Sequence, residues 1–275
     1  MTSFTLGIKY LRGIPPFYGD RVNEIKCAMD YLDYVEDKGK EFAEKYNGAT
    51  YVISDDGGYT FGDVKKVPIN CPHGPAVTPD GRLVYVGKEP GSDENDGKLE
   101  CYIMNNKDEF EYISTFEWTG VKYDYIGEPY TICLPDGKLI THIRFQRGND
   151  EEGSQVFTIF QTESSDGGKT WTKPHQILGD HGGAPAHILR LKNGTLISVY
   201  GYRVEGYYGL RALLSKDNGE TWDTDNIIFN DGFNWDIGYP CSVELKDGNI
   251  LTVFYGTVTP DVPTVIQQII WNFEE

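Results

Sequence analysis

The hydrophobic positions of the chain fall into short runs separated by polar, glycine-containing turns. Residues 82–86 (Arg-Leu-Val-Tyr-Val), 138–143 (Lys-Leu-Ile-Thr-His-Ile), 195–200 (Thr-Leu-Ile-Ser-Val-Tyr) and 249–255 (Asn-Ile-Leu-Thr-Val-Phe-Tyr) are rich in β-branched and aromatic side chains. Such runs suit a pleated, half-buried surface, and they are read as strands. Each follows an Asp-Gly or Asn-Gly pair: Asp80-Gly81, Asp136-Gly137, Asn193-Gly194 and Asp247-Gly248. These dipeptides favour two-residue hairpin turns, because both positions tolerate positive φ. A proline stands upstream of each turn: Pro75, Pro129, Pro185 and Pro240. One stretch breaks the pattern. From Asp20 to Glu44, Ile25, Met29, Leu32 and Val35 share one helical stripe, with Asp20 as N-cap and Gly39 as a stop, so a short helical insertion is expected over 20–47.

The turn glycines lie 56, 57 and 54 residues apart, a period that suits one four-stranded propeller blade. A second repeat keeps step with the first. Ser164-Ser165-Asp166-Gly167-Gly168-Lys169-Thr170-Trp171 returns as Ser215-Lys216-Asp217-Asn218-Gly219-Glu220-Thr221-Trp222, and more weakly at Ser54–Phe61. Its form is Ser-x-Asp-x-Gly-x-Thr-aromatic. The Asp side chain can cap backbone N–H groups of its own turn while the aromatic residue packs between strands, a structural assignment. The fold class expected is all-β, one propeller domain over residues 1–275. Four blades are traced from residue 74 onward, with a degenerate turn in the first near Asn105 to Asp108, and a fifth is partial.

Composition narrows the function. The formal charge of −17 disfavours nucleic acid and anionic membranes as partners. An anionic small ligand would need a local cluster of arginines. Five cysteines without a CxxC pair argue against a disulfide framework and against a zinc site, so no metal and no cofactor are expected. No apolar run reaches the roughly 20 residues of a membrane span, and residues 1–4 lack the marks of a signal peptide, so a cytoplasmic location is expected.

Strand order places the chemistry. If strand 1 of each blade leaves one mouth, the glycine turns and the octapeptides lie at the far face. The residues before strand 1, late in strand 2 and early in strand 3 then converge on that mouth. They include His73, Glu128, His187 and Tyr239, then Lys88, Arg144 and Arg203, and Arg211 early in a strand 3. The acidic chain thus gathers cations around one opening, as an anionic ligand requires. Asp236, beside Trp235, is a candidate for binding a sugar hydroxyl.

The octapeptides resemble the Asp-box of sialidase-type propellers. The order Glu128, Arg144, Arg211, Tyr239 is similar to that of the sialidases (neuraminidases) and the BNR-repeat proteins grouped with them. The resemblance covers roughly residues 50–273. It implies a six-bladed type of propeller, incomplete or five-bladed here. It also implies an exo-acting glycoside hydrolase that retains configuration at a terminal, possibly acidic, sugar. Tyr239 would be the nucleophile, Glu128 its base, and Arg144 and Arg211 two of three arginines clamping a carboxylate, with no cofactor. A tyrosine, neutral until activated, avoids the repulsion that an attacking carboxylate would meet at a sugar bearing its own carboxylate. The family's first clamp arginine has no good match at Arg12-Gly13-Ile14-Pro15, and the acid/base aspartate is left open among Asp20, Asp30, Asp33 and Asp37 or absent. The alternative reading is a carbohydrate-binding or catalytically decayed propeller, and a homo-oligomer is one way to cover open edge strands.

Overall fold

The computed structural model describes residues 48–90, 97–105, 109–117, 124–147, 156–179, 182–183, 185–259 and 264–273. The expected helical insertion over 20–47 and all four candidate acid/base aspartates lie outside the described residues. Every element among the described residues is a strand. The chain divides into two compact units, residues 1–70 and 71–275.

In the first unit, β1 (Thr50–Tyr51) pairs antiparallel with β2 (Lys65–Lys66) across the octapeptide that begins at Ser54. The second unit is a β-propeller of four antiparallel sheets. The first contains β3 (Ala76–Val77), β4 (Leu83–Gly87), β5 (Lys98–Met104) and β6 (Phe110–Glu117). The second contains β7 (Asp124–Cys133), β8 (Leu139–Arg147), β9 (Val156–Ser164) and β10 (His175–Gln176). The third contains β11 (Ala186–Arg190), β12 (Leu196–Tyr202), β13 (Gly209–Ser215) and β14 (Asp223–Phe229). The fourth contains β15 (Ile237–Glu244), β16 (Ile250–Gly256) and β17 (Val265–Trp271). The expectation of four strands per blade is therefore corrected for the last sheet, which has three among the described residues. First strands lie side by side, β3 against β7, β7 against β11 and β11 against β15.

The apolar runs seen in the sequence become the second strands, each buried between sheet neighbours and sheet faces. Leu139, Ile140, Leu196, Ile197 and Val199 are fully enclosed. Apolar clusters bridge adjacent sheets. One joins Val84, Leu99 and Cys101 of the first sheet to Ile126, Leu139 and Ile143 of the second. Another joins Leu134 and Ile140 to Ile188 and Leu196 of the third. A third joins Leu210 to Ile237 and Phe254 of the fourth. Burial of these side chains, at about 25 cal/mol per Å², supplies the main cohesion between blades.

The hairpin turns differ from the two-residue type expected. Leu134 N donates to Lys138 O at 2.8 Å across three residues, and Gly137 N donates to Leu134 O at 2.9 Å. Only the glycine has positive φ (+90° at Gly137), so the turn is type I followed by a bulge glycine. The same pattern holds at Thr78–Arg82, Leu191–Thr195 and Leu245–Asn249. The Asp or Asn is chosen for its side chain, since Asp136 Oδ1 accepts from Lys138 N at 3.0 Å, and Asn193 and Asp247 do the same.

The octapeptides are self-contained turns at the same end of the sheets. Ser164 Oγ donates to Asp166 Oδ1 at 2.8 Å and accepts from Gly168 N at 2.9 Å. Asp166 Oδ1 accepts from Thr170 N at 2.9 Å and Oδ2 from Thr170 Oγ1 at 2.6 Å. Ser215, Asp217 and Thr221 repeat the arrangement, as do Ser54, Asp56 and Thr60 in the first unit. The tryptophans reach the preceding sheet. Trp171 stacks on Phe116 and donates to Ser114 Oγ at 3.2 Å, while Trp222 donates to Gln161 Oε1 at 2.7 Å and lies edge-on to His142. The turns thus fasten blade to blade.

Candidate functional site

At the opposite end, the approach to strand 1 repeats as Gly127-Glu128-Pro129, Gly183-Ala184-Pro185 and Gly238-Tyr239-Pro240, with His73-Gly74-Pro75 as the variant form. In the second and fourth sheets it builds the same bulge. Gly127 pairs with Arg144 and Tyr130 with His142, so three steps along β7 face two along β8. Likewise Gly238 pairs with Tyr255 and Cys241 with Val253. The extra residue of each bulge adopts a left-handed backbone, φ +45° at Glu128 and +47° at Tyr239. A non-glycine residue in that region costs on the order of 1 kcal/mol or more and is favoured neither by its type nor by the following proline. Bulges re-aim side chains. Here they turn Glu128 and Tyr239, 111 positions apart, toward one another.

Tyr239 Oη donates to Glu128 Oε1 at 2.6 Å, and Arg144 Nη1 donates to Glu128 Oε2 at 2.7 Å. The cross-strand partners take part as well. Arg144 stands opposite Gly127, and Tyr255, opposite Gly238, stacks its ring on Tyr239 at 5.9 Å. A β-carbon at Gly127 would displace the Tyr125 hydroxyl, whose ring lies under the Arg144 guanidinium. Arg203 completes the group: Nε donates to Ile237 O at 3.0 Å and Nη2 to Tyr255 Oη at 3.3 Å, with the guanidinium over the Phe157 ring.

Electrostatics divide these groups. Burial, then the hydrogen bond and charge of Glu128, raise the Tyr239 pKa well above that of a free phenol, so the hydroxyl is protonated at rest. Burial opposes the Arg144 cation, but the charge and hydrogen bond of Glu128 outweigh it and its pKa rises. The Arg203 pKa is lowered, by burial first and also by the nearby Arg144 charge. Among the described residues no carboxylate pairs with Arg203, so it is the less compensated cation of the two.

The remaining expected site residues are placed as follows. His73 lies beside the couple, its ring 6.2 Å from Tyr239 and edge-on to Tyr130 at 5.2 Å, and its buried Nε2 has no hydrogen-bond partner. Burial lowers its pKa to about 4, so it is neutral at pH 7. His187 is buried behind it, with Nε2 3.1 Å from Tyr130 Oη and Nδ1 accepting from Ser242 N, and burial lowers its pKa to about 4 too. Lys88 reaches Ile126 O at 3.5 Å, on the strand that carries Glu128. The Asp236 carboxylate accepts from Thr264 Oγ1 at 3.1 Å and lies near the Tyr255 hydroxyl.

Arg211, expected at the ligand, is engaged elsewhere. It is 7% exposed, lies over the Tyr202 ring and donates to Leu210 O, Phe229 O, Tyr207 O and Asn230 Oδ1. Tyr255, which the sequence puts at the mouth seven residues after its turn glycine, the register position of Arg144, but without a chemical role, joins the group through Tyr239 and Arg203.

Known proteins resemble the chain at the level of family and fold. Residues 34–252 match the BNR repeat-like domain. No similar sequence is found among curated proteins. Among solved structures, a protein of unknown function from Dyadobacter fermentans superposes with TM-score 0.67 at 22% identity, over 82% of this chain and 64% of that one. The NanB sialidase from Streptococcus pneumoniae superposes with TM-score 0.57 at 17% identity, over 81% of this chain and 35% of the sialidase. A GH93 α-L-arabinofuranosidase of Fusarium graminearum gives 0.52 at 15% identity, over 72% and 61%. The chain spans less than two thirds of each of these proteins, and the likeness is one of fold. With the family match extending over most of its length, the chain belongs to the BNR repeat-like domain family, on the propeller fold that sialidases share.

Proposed function

We propose that the protein is an exo-acting glycoside hydrolase of the sialidase-like superfamily, cleaving a terminal acidic sugar with retention of configuration. The observation that carries this reading is the hydrogen bond of 2.6 Å from Tyr239 Oη to Glu128 Oε1, with Glu128 held from its other oxygen by Arg144. A nucleophile bonded to a base that a third group orients is the arrangement nucleophilic catalysis requires. As Tyr239 Oη attacks the anomeric carbon, Glu128 takes the phenolic proton and the bond to the leaving oxygen breaks. An acid protonates that oxygen; its expected source, Asp20, Asp30, Asp33 or Asp37, lies outside the described residues. Water, giving a proton to the conjugate base of that acid, then attacks the anomeric carbon of the glycosyl-tyrosine, and Glu128 returns its proton to the departing phenolate. A raised tyrosine pKa fits this order, because the proton leaves only as the new bond forms. Arg203 supports an acidic substrate: a partly buried cation next to Arg144 is stabilised when an anion arrives.

The test is a panel of aryl glycosides of sialic acids, uronic acids and neutral sugars, assayed with wild type and Tyr239→Phe. Turnover of an acidic glycoside by wild type, with loss of at least about 10³-fold in the variant, is expected. Equal turnover by both would sink the nucleophile assignment. Binding of an acidic sugar without any turnover would favour the alternative of a non-hydrolytic carbohydrate-binding propeller.

A further inference from the structure

Three large aromatic side chains stand in solvent on loops at this end of the sheets: Tyr207 is 59% exposed, Phe233 47% and Trp235 60%. Large exposed aromatic side chains mark binding surfaces, since a partner that covers them removes apolar area from water. They lie in two loops, 203–208 between β12 and β13 and 230–236 between β14 and β15. Both loops open at the end of the sheets that carries Glu128 and Tyr239, and the second runs through Asp236, Ile237 and Gly238 directly into Tyr239.

The loops are built as one unit. Gly232 N donates to Tyr208 O at 2.9 Å, so Tyr207 and Phe233 each adjoin the same hydrogen-bonded pair. Gly232 approaches so closely that a β-carbon would come within 2.8 Å of Tyr208 O and 2.9 Å of its Cβ. Arg211 is the second tie, donating to Tyr207 O at 3.4 Å on one loop and to Asn230 Oδ1 at 2.6 Å on the other. Burying a guanidinium is unfavourable unless its donors are satisfied, and these are satisfied by both loops at once. Asn234 Oδ1 accepts from Asp236 N at 2.9 Å and fixes the turn below Trp235. Tyr and Trp rings on such a support offer large flat faces with little side-chain entropy to lose, and the C–H face of a pyranose ring complements them.

We infer that Tyr207, Phe233 and Trp235 form an extended subsite for the second sugar of the substrate, the unit that carries the leaving oxygen, with Arg211 as the positioning residue that joins the two loops. The inference deepens the hydrolase reading and rests on it. It makes oligosaccharide ends the preferred substrates over simple glycosides.

Two acidic sugars, sialic acid and glucuronic acid, are each presented as the methyl glycoside and as the lactoside, and kcat/KM is measured for wild type, Trp235→Ala, Tyr207→Ala and Trp235→Phe. Wild type is expected to prefer the lactoside by roughly tenfold, the scale of one to two ring contacts. In the two alanine variants that ratio falls toward one, and Trp235→Phe, which keeps a ring, restores most of it. Equal kcat/KM for the two forms in wild type, or a preference that survives both alanine variants, overturns the subsite. If wild type hydrolyses none of the four probes, the hydrolase reading fails by itself. The subsite is then judged on lactoside affinity by calorimetric titration: weakening in Trp235→Ala supports it, and unchanged affinity overturns it.

Discussion

The two ends of the sheets use repetition in opposite ways. At the turn end, both backbone and side chains repeat: Ser, Asp, Gly and Thr make the same hydrogen bonds at 164–170 and 215–221. At the mouth the backbone repeats and the side chains do not. The same bulge carries Glu128 in one blade and Tyr239 in another, with Arg144 and Tyr255 at the matching cross-strand positions. A repeated side chain marks a part whose task is the same wherever it recurs, which in the second and third sheets is fastening one blade to the preceding one. A repeated frame with divergent side chains marks the place where blades contribute different chemical groups to one site.

Substitutions sharpen the contrast. The largest effect belongs to the mouth: Glu128→Gln removes the base and should lower kcat on the best substrate of the panel by about 10³-fold, with native near-UV circular dichroism. A drop of tenfold or less would leave Glu128 as a structural partner of Arg144. Next comes the turn end, where Trp222→Ala empties the space between Gln161 and His142. It should cost about 3 kcal/mol in urea unfolding while kcat/KM stays within twofold; loss of activity without loss of stability would reverse the assignment of the two ends.

Acid separates the buried histidines from the turn aspartates by pH. Burial holds His73 and His187 at about 4 and His142, enclosed between sheets, at about 3. The unfolded chain takes up these protons below its pKa of about 6.5 and the native protein does not. Stability on their account is therefore full above that pH and falls as pH drops toward 4. The turn aspartates are shifted in the same direction, but in a more acid range. Hydrogen bonds from Thr60, Thr170 and Thr221 lower Asp56, Asp166 and Asp217 to about 2. Their contribution is present above the ordinary carboxylate range and is lost as pH falls through 2. Melting temperature against pH should show two declines, and His142→Gln should diminish the first without touching the second. The smallest effect is Asn218→Gly in the turn at φ +58°, which should stabilise by a few tenths of a kcal/mol and leave activity unchanged.

How much of this was legible in the sequence follows from what kind of physics set each part. The sheets were readable because apolar runs and glycine turns are local, and counting from the turn glycines brought Glu128, Arg144 and Tyr239 to one end. The turn type was misread, because Asp-Gly serves both a two-residue hairpin and a type I turn with a bulge glycine. The left-handed backbone of Glu128 and Tyr239 was invisible, since a residue before proline is ordinarily extended. Arg211 could not be placed, because an arginine near a mouth can face a ligand or fasten loops, and only tertiary packing chose the carbonyls of Tyr207 and Phe229.

The most direct measurement is mass spectrometry of the protein quenched during turnover of a slow fluorinated glycoside of the sugar that the panel identifies. The account predicts one glycosyl adduct, mapped to the peptide that contains Tyr239 and absent from Tyr239→Phe. An adduct on Glu128, or steady turnover with no adduct and inverted product configuration, would contradict it.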